Sequence, residues 1–219
     1  MKYVHEGEIR ITKTRIRQNW VVNFCVVIAL FISMQAQASS QIEAANRLID
    51  TMVRDVENYL LADSGDISKR KENITRLLDT HFDIPGIARF SAGPYWRAAN
   101  EEERVIYTES MREAMIGTIA RNFDQLVGLR FTIVDSQAKG SSMVLVRGNF
   151  RDKARKRPPV SVGWRVVTPH PAPAKVLDVE IENISMLITQ KQENIAIIRK
   201  NGGRFSALIH AMKQRQQTQ

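Results

Sequence analysis

Residues 143–182, MVLVRGNFRDKARKRPPVSVGWRVVTPHPAPAKVLDVEIE, contain three runs in which apolar and polar side chains alternate. The runs Met143–Arg151, Val160–Thr168 and Lys175–Glu182 show the period of two that is typical of β-strands. The segments between them, Lys153–Pro159 and Pro169–Pro173, are rich in turn-forming residues and are short enough to join antiparallel neighbours. The stretch therefore predicts a meander of antiparallel strands.

A fourth run, Arg130–Asp135, precedes this stretch, and Lys139-Gly140 provides the turn between them. The alternation also predicts which side chains share a face. The apolar face should carry Val144, Val146, Gly148, Phe150, Val160, Val162, Trp164, Val166, Leu177, Val179 and Ile181. The polar face should carry Arg147, Asn149, Ser161, Arg165, Asp178 and Glu180. A sheet with one apolar face packs that face against helices.

Helical spacing of apolar residues precedes and follows the predicted strands. Asn100 and Glu103 have the spacing of a capping box at the start of the longest helix. The predicted helices are Gln41–Leu61, a second that ends near Phe82, Ile84–Ala92, one from Asn100 to about Val127, Ile184–Lys200, and one that begins near Phe205. The sequence thus predicts an α+β fold with N-terminal helices, a four-stranded antiparallel sheet and C-terminal helices.

The N-terminal region has the pattern of an export signal. Lys13, Arg15 and Arg17 give a positive charge just before the twelve-residue apolar run Val21–Ile32, and Ala36-Gln37-Ala38 is a small-residue cleavage motif. Because a bilayer span needs about twenty residues, the run predicts cleavage after Ala38. Residues 1–38 are then a signal peptide and 39–219 a single exported domain. An uncleaved anchor is the alternative, favoured by the long polar segment Met1–Asn19.

Composition restricts the chemistry of the exported domain. The chain has a formal net charge of +9 and a single cysteine. Cys25 lies in the apolar run, so the exported domain should have no disulfide and no cysteine-ligated metal. The cations are spread along helices instead of clustering with aromatic residues, which argues against a nucleic-acid partner. An acidic protein partner, anionic lipid head groups or solubility alone can each explain the surplus.

The candidate catalytic residues are few. His81, His170 and His210 do not have metal-ligand spacing, and each is expected to be a surface or boundary residue. Asp178 and Glu180 could form an acid–base pair, but their place on the polar sheet face favours solvated or salt-bridged carboxylates. The sequence therefore predicts a protein that is not an enzyme and holds no metal.

Several motifs follow one another along the exported domain. They are Phe82-Asp83-Ile84-Pro85, Gly93-Pro94-Tyr95-Trp96-Arg97-Ala98, Glu101-x-Glu103, Arg157-Pro158-Pro159-Val160, the segment from Val176 to Met186, and Ile198-Arg199-Lys200-Asn201-Gly202-Gly203. In this order they resemble the MlaC, or toluene-tolerance, family of periplasmic lipid-binding proteins over nearly the whole exported domain. Asn183 stands where that family often has glycine, and asparagine tolerates a positive φ best among the other residues.

The resemblance implies a periplasmic shuttle. Its cargo would be a phospholipid, with no other cofactor, and its partners an outer-membrane lipoprotein complex and an inner-membrane ABC transporter complex. Such a carrier maintains outer-membrane lipid asymmetry. The implied fold has a curved sheet and is similar to the cone of nuclear-transport-factor-like proteins, with an apolar cavity between sheet and helices. The Phe-Asp-Ile-Pro and Gly-Pro-Tyr-Trp-Arg motifs also resemble the branch associated with hopanoid lipids, which leaves a hopanoid cargo as an alternative.

Two sets of residues are candidates for these roles. The lipid tails are expected to contact Met115, Ile119, Phe123, Leu126, Val144, Val146, Phe150, Trp164, Val166, Val179 and Ile181. Arg151, Lys153, Arg155, Lys156 and Arg157, at a predicted hairpin tip, are expected to dock the partners or else to be an ordinary solvated turn. Two other readings remain open: an exported enzyme with Asp178 as a base inside the cavity, and an adaptor with a solid core.

Overall fold

The computed structural model describes the backbone of residues 14–218 and the side chains of residues 38–216. The chain divides into two units, Met1–Ser40 and Gln41–Gln219. The second unit contains the sheet, the later helices and the part of the first helix that follows Ser40. The predicted export signal falls largely outside the described side chains, so it stays a prediction. In the part of the chain that is described, no helix is both long and apolar enough to cross a bilayer.

Six α-helices and two short 3₁₀ helices occupy the described chain. Asn100 accepts a hydrogen bond from the backbone N–H of Glu103, whose carboxylate accepts one from the N–H of Asn100, so the predicted capping box is confirmed. The helices are α1 (Thr14–Leu61), α2 (Ile67–His81), α3 (Ile84–Ser91), α4 (Glu101–Asn122), α5 (Met186–Lys200) and α6 (Phe205–Thr218), with 3₁₀ helices at Gly93–Arg97 and Phe123–Leu126. The longest predicted helix therefore ends about one turn early, where the chain tightens into the second 3₁₀ helix.

The strands form one antiparallel sheet in sequence order, with five strands instead of the predicted four. They are β1 (Leu129–Ala138), β2 (Met143–Asp152), β3 (Val160–Val167), β4 (Lys175–Ile181) and β5 (Ile184–Ser185). The sequence placed residues 184 and 185 in a helix. Glu182 and Asn183 instead have φ values of 50° and 65°, the pattern of a tight hairpin turn, which pairs β5 with β4 before α5 begins. The expected positive φ at Asn183 is confirmed.

The predicted faces of the sheet are confirmed in β2 and β3. Val144 pairs with Val166, Val146 with Trp164, and Phe150 with Val160, so these side chains lie on one face, here called the inner face. The prediction for Leu177 was wrong. A β-bulge shifts the register between β3 and β4, so that Val166 pairs with Val176, and Leu177 becomes the extra residue.

The buried apolar side chains form two cores. The sheet core joins α1 and α2 to the inner face and consists of Ala45, Ile49, Met52, Leu77, Val144, Val146, Val162, Trp164, Val166 and Val176. The helical core consists of Ile74, Leu78, Ile84, Ile87, Ala88, Ala92, Ala99, Tyr107, Met111, Ile116, Ala120, Phe123, Leu187, Ile198, Phe205, Leu208, Ile209 and Met212. Val56, Tyr59 and Phe82 are half-buried and pack against both cores. These three side chains connect the two layers.

A buried polar network crosses the helical core. The hydroxyl of Tyr107 lies 2.8 Å from the Ser91 hydroxyl and accepts a hydrogen bond of 2.7 Å from the Asn194 amide. The three residues belong to α4, α3 and α5, respectively. Burial raises the pKa of the Tyr107 hydroxyl above its ordinary value of 10.0, so the group stays protonated at any physiological pH. The network fixes the relative positions of three helices.

Replacing Tyr107 by phenylalanine is expected to lower the free energy of unfolding by about 1–2 kcal/mol, because the Ser91 hydroxyl and the Asn194 amide each lose a buried partner. Urea denaturation followed by circular dichroism measures the change. Tyr95→Phe, at a half-buried position of the first 3₁₀ helix, is the matched control and should change stability by no more than about 0.5 kcal/mol. Equal stabilities for the two variants would show that the network contributes nothing.

Candidate functional site

The inner face of the sheet carries a group of apolar side chains that are only half-buried. They are Phe131, Ile133, Phe150, Val160 and Val179, and they pack around the sheet core. The α1 helix contributes Ala45, Ile49 and Met52 to the same core, and Asn46 accepts a hydrogen bond of 2.7 Å from the Ser136 hydroxyl of β1. Apolar side chains that face a packed helix yet keep accessible surface are suited to contact an apolar ligand. We therefore take this face as the candidate site.

Three aromatic rings lie together on this face. The ring of Phe131 is 4.9 Å from that of Phe150 and 6.0 Å from that of Trp164, which it meets edge to face. Both separations fall in the range in which aromatic pairs attract beyond simple burial. The three residues come from β1, β2 and β3, so the rings extend across three neighbouring strands.

Gly148 permits this arrangement. A Cβ atom at position 148 would lie 2.4 Å from the tip of the Phe131 ring and 2.4 Å from the carbonyl oxygen of Thr132. Any side chain there would displace the ring or the backbone of β1. The absence of a side chain in β2 thus lets the Phe131 ring lie over the strand.

Two β-bulges shape the same sheet. The first lies in β1, where the register with β2 shifts between Ile133 and Asp135, and the second is the one at Leu177. Bulges increase the local twist and bend the strand. They account for the curvature of the sheet, which the family resemblance implied and which the alternation of side chains does not reveal.

The structure divides the eleven predicted tail-contacting residues among three settings. Val144, Val146, Phe150, Trp164, Val166 and Val179 belong to or pack against the sheet core. Met115, Ile119, Phe123 and Leu126 belong to or pack against the helical core. Ile181, at the end of β4, is 42% exposed. The six sheet residues are brought together, while the four from α4 and the 3₁₀ helix belong to the other core. The half-buried Val56, Tyr59 and Phe82 pack against both cores.

Sequence reasoning missed part of the site. Phe131 and Ile133 lie two residues apart in a predicted strand and therefore on the same face of it. Ala45, Ile49 and Met52 share one face of a predicted helix. The sequence pattern thus indicated that each group faces one side of its own element. Assigning them to the site required two further facts, namely the register of β1 with β2 and the identity of the helix that packs on the sheet. Neither follows from periodicity.

Asp178 lies on the opposite face of the sheet from Trp164 and Val166, as predicted, since it pairs with Arg165. It is buried instead of solvated, and of the two settings that the sequence predicted the structure shows the salt-bridged one. Its oxygens accept hydrogen bonds of 2.5 Å from the Ser185 hydroxyl and 2.9 Å from the backbone N–H of Leu187, and the Arg165 guanidinium is 3.8 Å away. This carboxylate therefore anchors the start of α5, where a negative charge also complements the helix dipole.

The predicted docking residues lie on and beside the β2–β3 hairpin. Arg151, Lys153, Arg155 and Lys156 have exposed side chains, and Arg151 pairs across the sheet with Arg130, which places two like charges side by side. Arg157 is engaged within the chain. Its guanidinium donates hydrogen bonds of 2.7 Å and 2.6 Å to the carbonyl oxygens of residues 125 and 127 and also contacts Asp152.

The described histidines occupy different environments. His81 is only 3% exposed and lies 2.7 Å from an Asp55 carboxylate oxygen, so the expectation of a surface or boundary position was wrong for it. His170 and His210 are exposed, as expected. No cluster of three or more potential ligand residues within the described part of the chain could hold a metal ion.

A groove of about 480 Å³ runs along α6 and the turn before it. Most of its lining side chains are polar, and they are Asn201, Arg204, Ser206, Ala207, His210, Ala211 and Gln214. This composition does not suit an acyl chain.

Comparison with known proteins agrees with the architecture. No curated protein matches the chain. A solved structure of a phospholipid-binding protein from Ralstonia solanacearum, determined in complex with a phospholipid, superposes with a TM-score of 0.68 at 21% sequence identity, over 77% of this chain and 94% of that one. This likeness establishes a shared fold. The family model described as MlaC protein matches residues 46–214, most of the chain, and we conclude that the chain belongs to the MlaC family.

Proposed function

We propose that this chain is a periplasmic lipid carrier that holds the acyl chains of a phospholipid between α1 and the inner face of the sheet. It travels between an outer-membrane lipoprotein complex and an inner-membrane ABC transporter complex and so maintains outer-membrane lipid asymmetry. Residues 1–38 are its cleaved export signal. The observation that carries the proposal is the group of half-buried apolar side chains on the inner face, in a chain of the MlaC family.

The physical need for such a site follows from the cost of wetting lipid tails. A two-tailed lipid exposes about thirty methylenes, and at roughly 0.8 kcal/mol each their transfer into water costs on the order of 20 kcal/mol. A carrier must enclose the tails while leaving the charged head group at the surface, because burial of an unpaired phosphate is unfavourable. The sheet core contains only apolar residues, which suits tails and not a head group.

Native mass spectrometry of the exported protein tests the proposal. A carrier purified without detergent should retain one lipid in each protein molecule, and the mass of the released lipid assigns it to a phospholipid class or to a hopanoid. Protein that is folded and free of lipid, both as purified and after incubation with phospholipid vesicles, would refute the carrier function.

We further propose that the exposed cations of the β2–β3 hairpin dock the carrier onto its partner complexes. Reversing Lys153, Arg155 and Lys156 to glutamate should lower the association rate about tenfold at low salt, because clustered charges accelerate association. The lipid content should not change, since these side chains point to solvent. Surface plasmon resonance against each immobilised complex measures the rate.

The matched control reverses three exposed cations elsewhere on the surface, Arg199, Lys200 and Lys213, which produces the same change in net charge. If both triple variants bind equally, the hairpin has no specific part in docking. If neither differs from the unmodified protein, charge plays no part in it.

A further inference from the structure

The indole N–H of Trp164 is a hydrogen-bond donor buried in the candidate site. The residue is only 9% exposed, and none of the described residues accepts a hydrogen bond from its Nε1. Buried donors in folded proteins nearly always have an acceptor, because leaving one unpaired is destabilising. This N–H therefore calls for an explanation.

The surroundings of Trp164 explain why the protein itself supplies no acceptor. On β3 the residue pairs with Val146 on one side and with Val179 on the other, and Phe131 meets its ring edge to face. The side chains of these three neighbours carry no hydrogen-bond acceptor. A phenylalanine could fill such an environment without introducing a polar atom. Packing alone therefore does not explain why this position carries a hydrogen-bond donor.

We propose that Trp164 donates this hydrogen bond to an ester carbonyl oxygen of the bound lipid, so that the site selects lipids whose tails are attached through esters. The inference rests on the proposed carrier function, and it specifies the class of cargo. The ester carbonyl is the polar atom at the root of each acyl tail, and it is neutral, so it can enter an apolar site when one donor satisfies it.

A phosphate oxygen fits this position less well than a carbonyl. A phosphate carries a negative charge, and Val146, Val179 and Phe131, which surround Trp164, offer no cation to pair with it. A fused-ring hydrocarbon lipid without an ester would leave the N–H unpaired. The single donor thus favours an ester-linked glycerolipid over both alternatives.

The test compares two lipids that differ only in this linkage, dioleoyl phosphatidylglycerol and its diether analogue. The delipidated exported protein is mixed with equal amounts of both, and native mass spectrometry gives the ratio of the two complexes. We expect the ester lipid to be preferred about tenfold, which corresponds to ~1.4 kcal/mol. In Trp164→Phe the preference should fall to about one, because the donor is gone while the aromatic ring remains.

Trp96→Phe is the matched control. It makes the same chemical change in the first 3₁₀ helix, where Trp96 packs against the helical core, and it should keep the tenfold preference. Equal binding of the two lipids by the unmodified protein, or an unchanged preference in Trp164→Phe, would overturn the inference and leave the carrier function standing. Failure to bind either lipid would overturn both.

Discussion

Replacing Val179 by glutamate is expected to yield a folded protein that carries no lipid. Val179 is half-buried on the inner face and pairs with Trp164. A carboxylate at this position would have to lose its water to contact an acyl chain, and the loss costs several kcal/mol when no cation pairs with the carboxylate. Native mass spectrometry should show less than a tenth of the lipid content of the unmodified protein.

Val134→Glu is the control for this prediction. Val134 lies at the bulge of β1 and is 67% exposed, so the same substitution there adds the same charge to the same sheet without entering the site. It should retain full lipid content. A Val179→Glu protein that co-purifies with lipid at the normal stoichiometry would contradict the assignment of the inner face.

Val146 and Val166 are also predicted to contact the tails, and glutamate at either position should likewise give a lipid-free protein. Both side chains are fully buried in the sheet core, however. Glutamate there is expected to destabilise the fold as well as the site, because a buried ionised group without a partner is strongly unfavourable. Glutamate at half-buried Val179 is therefore the better test, because a loss of lipid there is less easily explained by a loss of folding.

Replacing Asp178 by alanine is expected to lower the free energy of unfolding by about 3 kcal/mol. The substitution removes the acceptor of two buried hydrogen bonds, from the Ser185 hydroxyl and the Leu187 N–H, and hydrogen bonds to charged groups contribute more than neutral ones. Arg165 keeps a partner, since it also pairs with Glu180. Urea denaturation at neutral pH measures the loss.

Asp135→Ala serves as the comparison, because Asp135 forms an exposed ion pair with Arg147 in the same sheet. Its expected cost is no more than about 1 kcal/mol. Similar stabilities for the two variants would argue against the anchoring role of Asp178. A stable Asp178→Ala protein that had lost a measurable catalytic activity would instead revive the enzyme hypothesis.

The sheet was largely predictable because its signal is local. In β2 and β3, the alternation of Val144, Val146, Val162, Trp164 and Val166 determines the inner face without knowledge of any partner. The errors occur where a single residue interrupts the strict alternation of side chains along a strand. Leu177 is the extra residue of a bulge, and a bulge breaks the period of two without leaving a distinctive residue behind.

The same limit explains the missed strand. Ile184 and Ser185 form only a two-residue strand, and the apolar residues that follow them have helical spacing, so the helix was extended backwards over them. The turn that precedes them depends on a positive φ at Glu182, a residue type that rarely adopts it. Its contacts in the folded chain support this conformation: β5 pairs with β4, and Glu182 exchanges two hydrogen bonds with the backbone of Ser161 in β3.

The candidate site was predictable on the sheet side and not on the helix side. Met115 and Ile119 have the same amphipathic spacing as Ile49 and Met52, so nothing in the sequence distinguishes α4 from α1 as the neighbour of the inner face. Which helix packs on the sheet is a property of the chain path. The periodicity of each helix is compatible with either arrangement.

The bonds made by Arg157 have a consequence for how the β2–β3 hairpin can move. This one guanidinium ties the β2–β3 hairpin to residues 125 and 127, which flank Leu126 at the edge of the helical core. The cationic tip and the end of the second 3₁₀ helix consequently cannot shift independently. A partner that pulls on the tip must either break both hydrogen bonds or drag that end of the helical layer along with it.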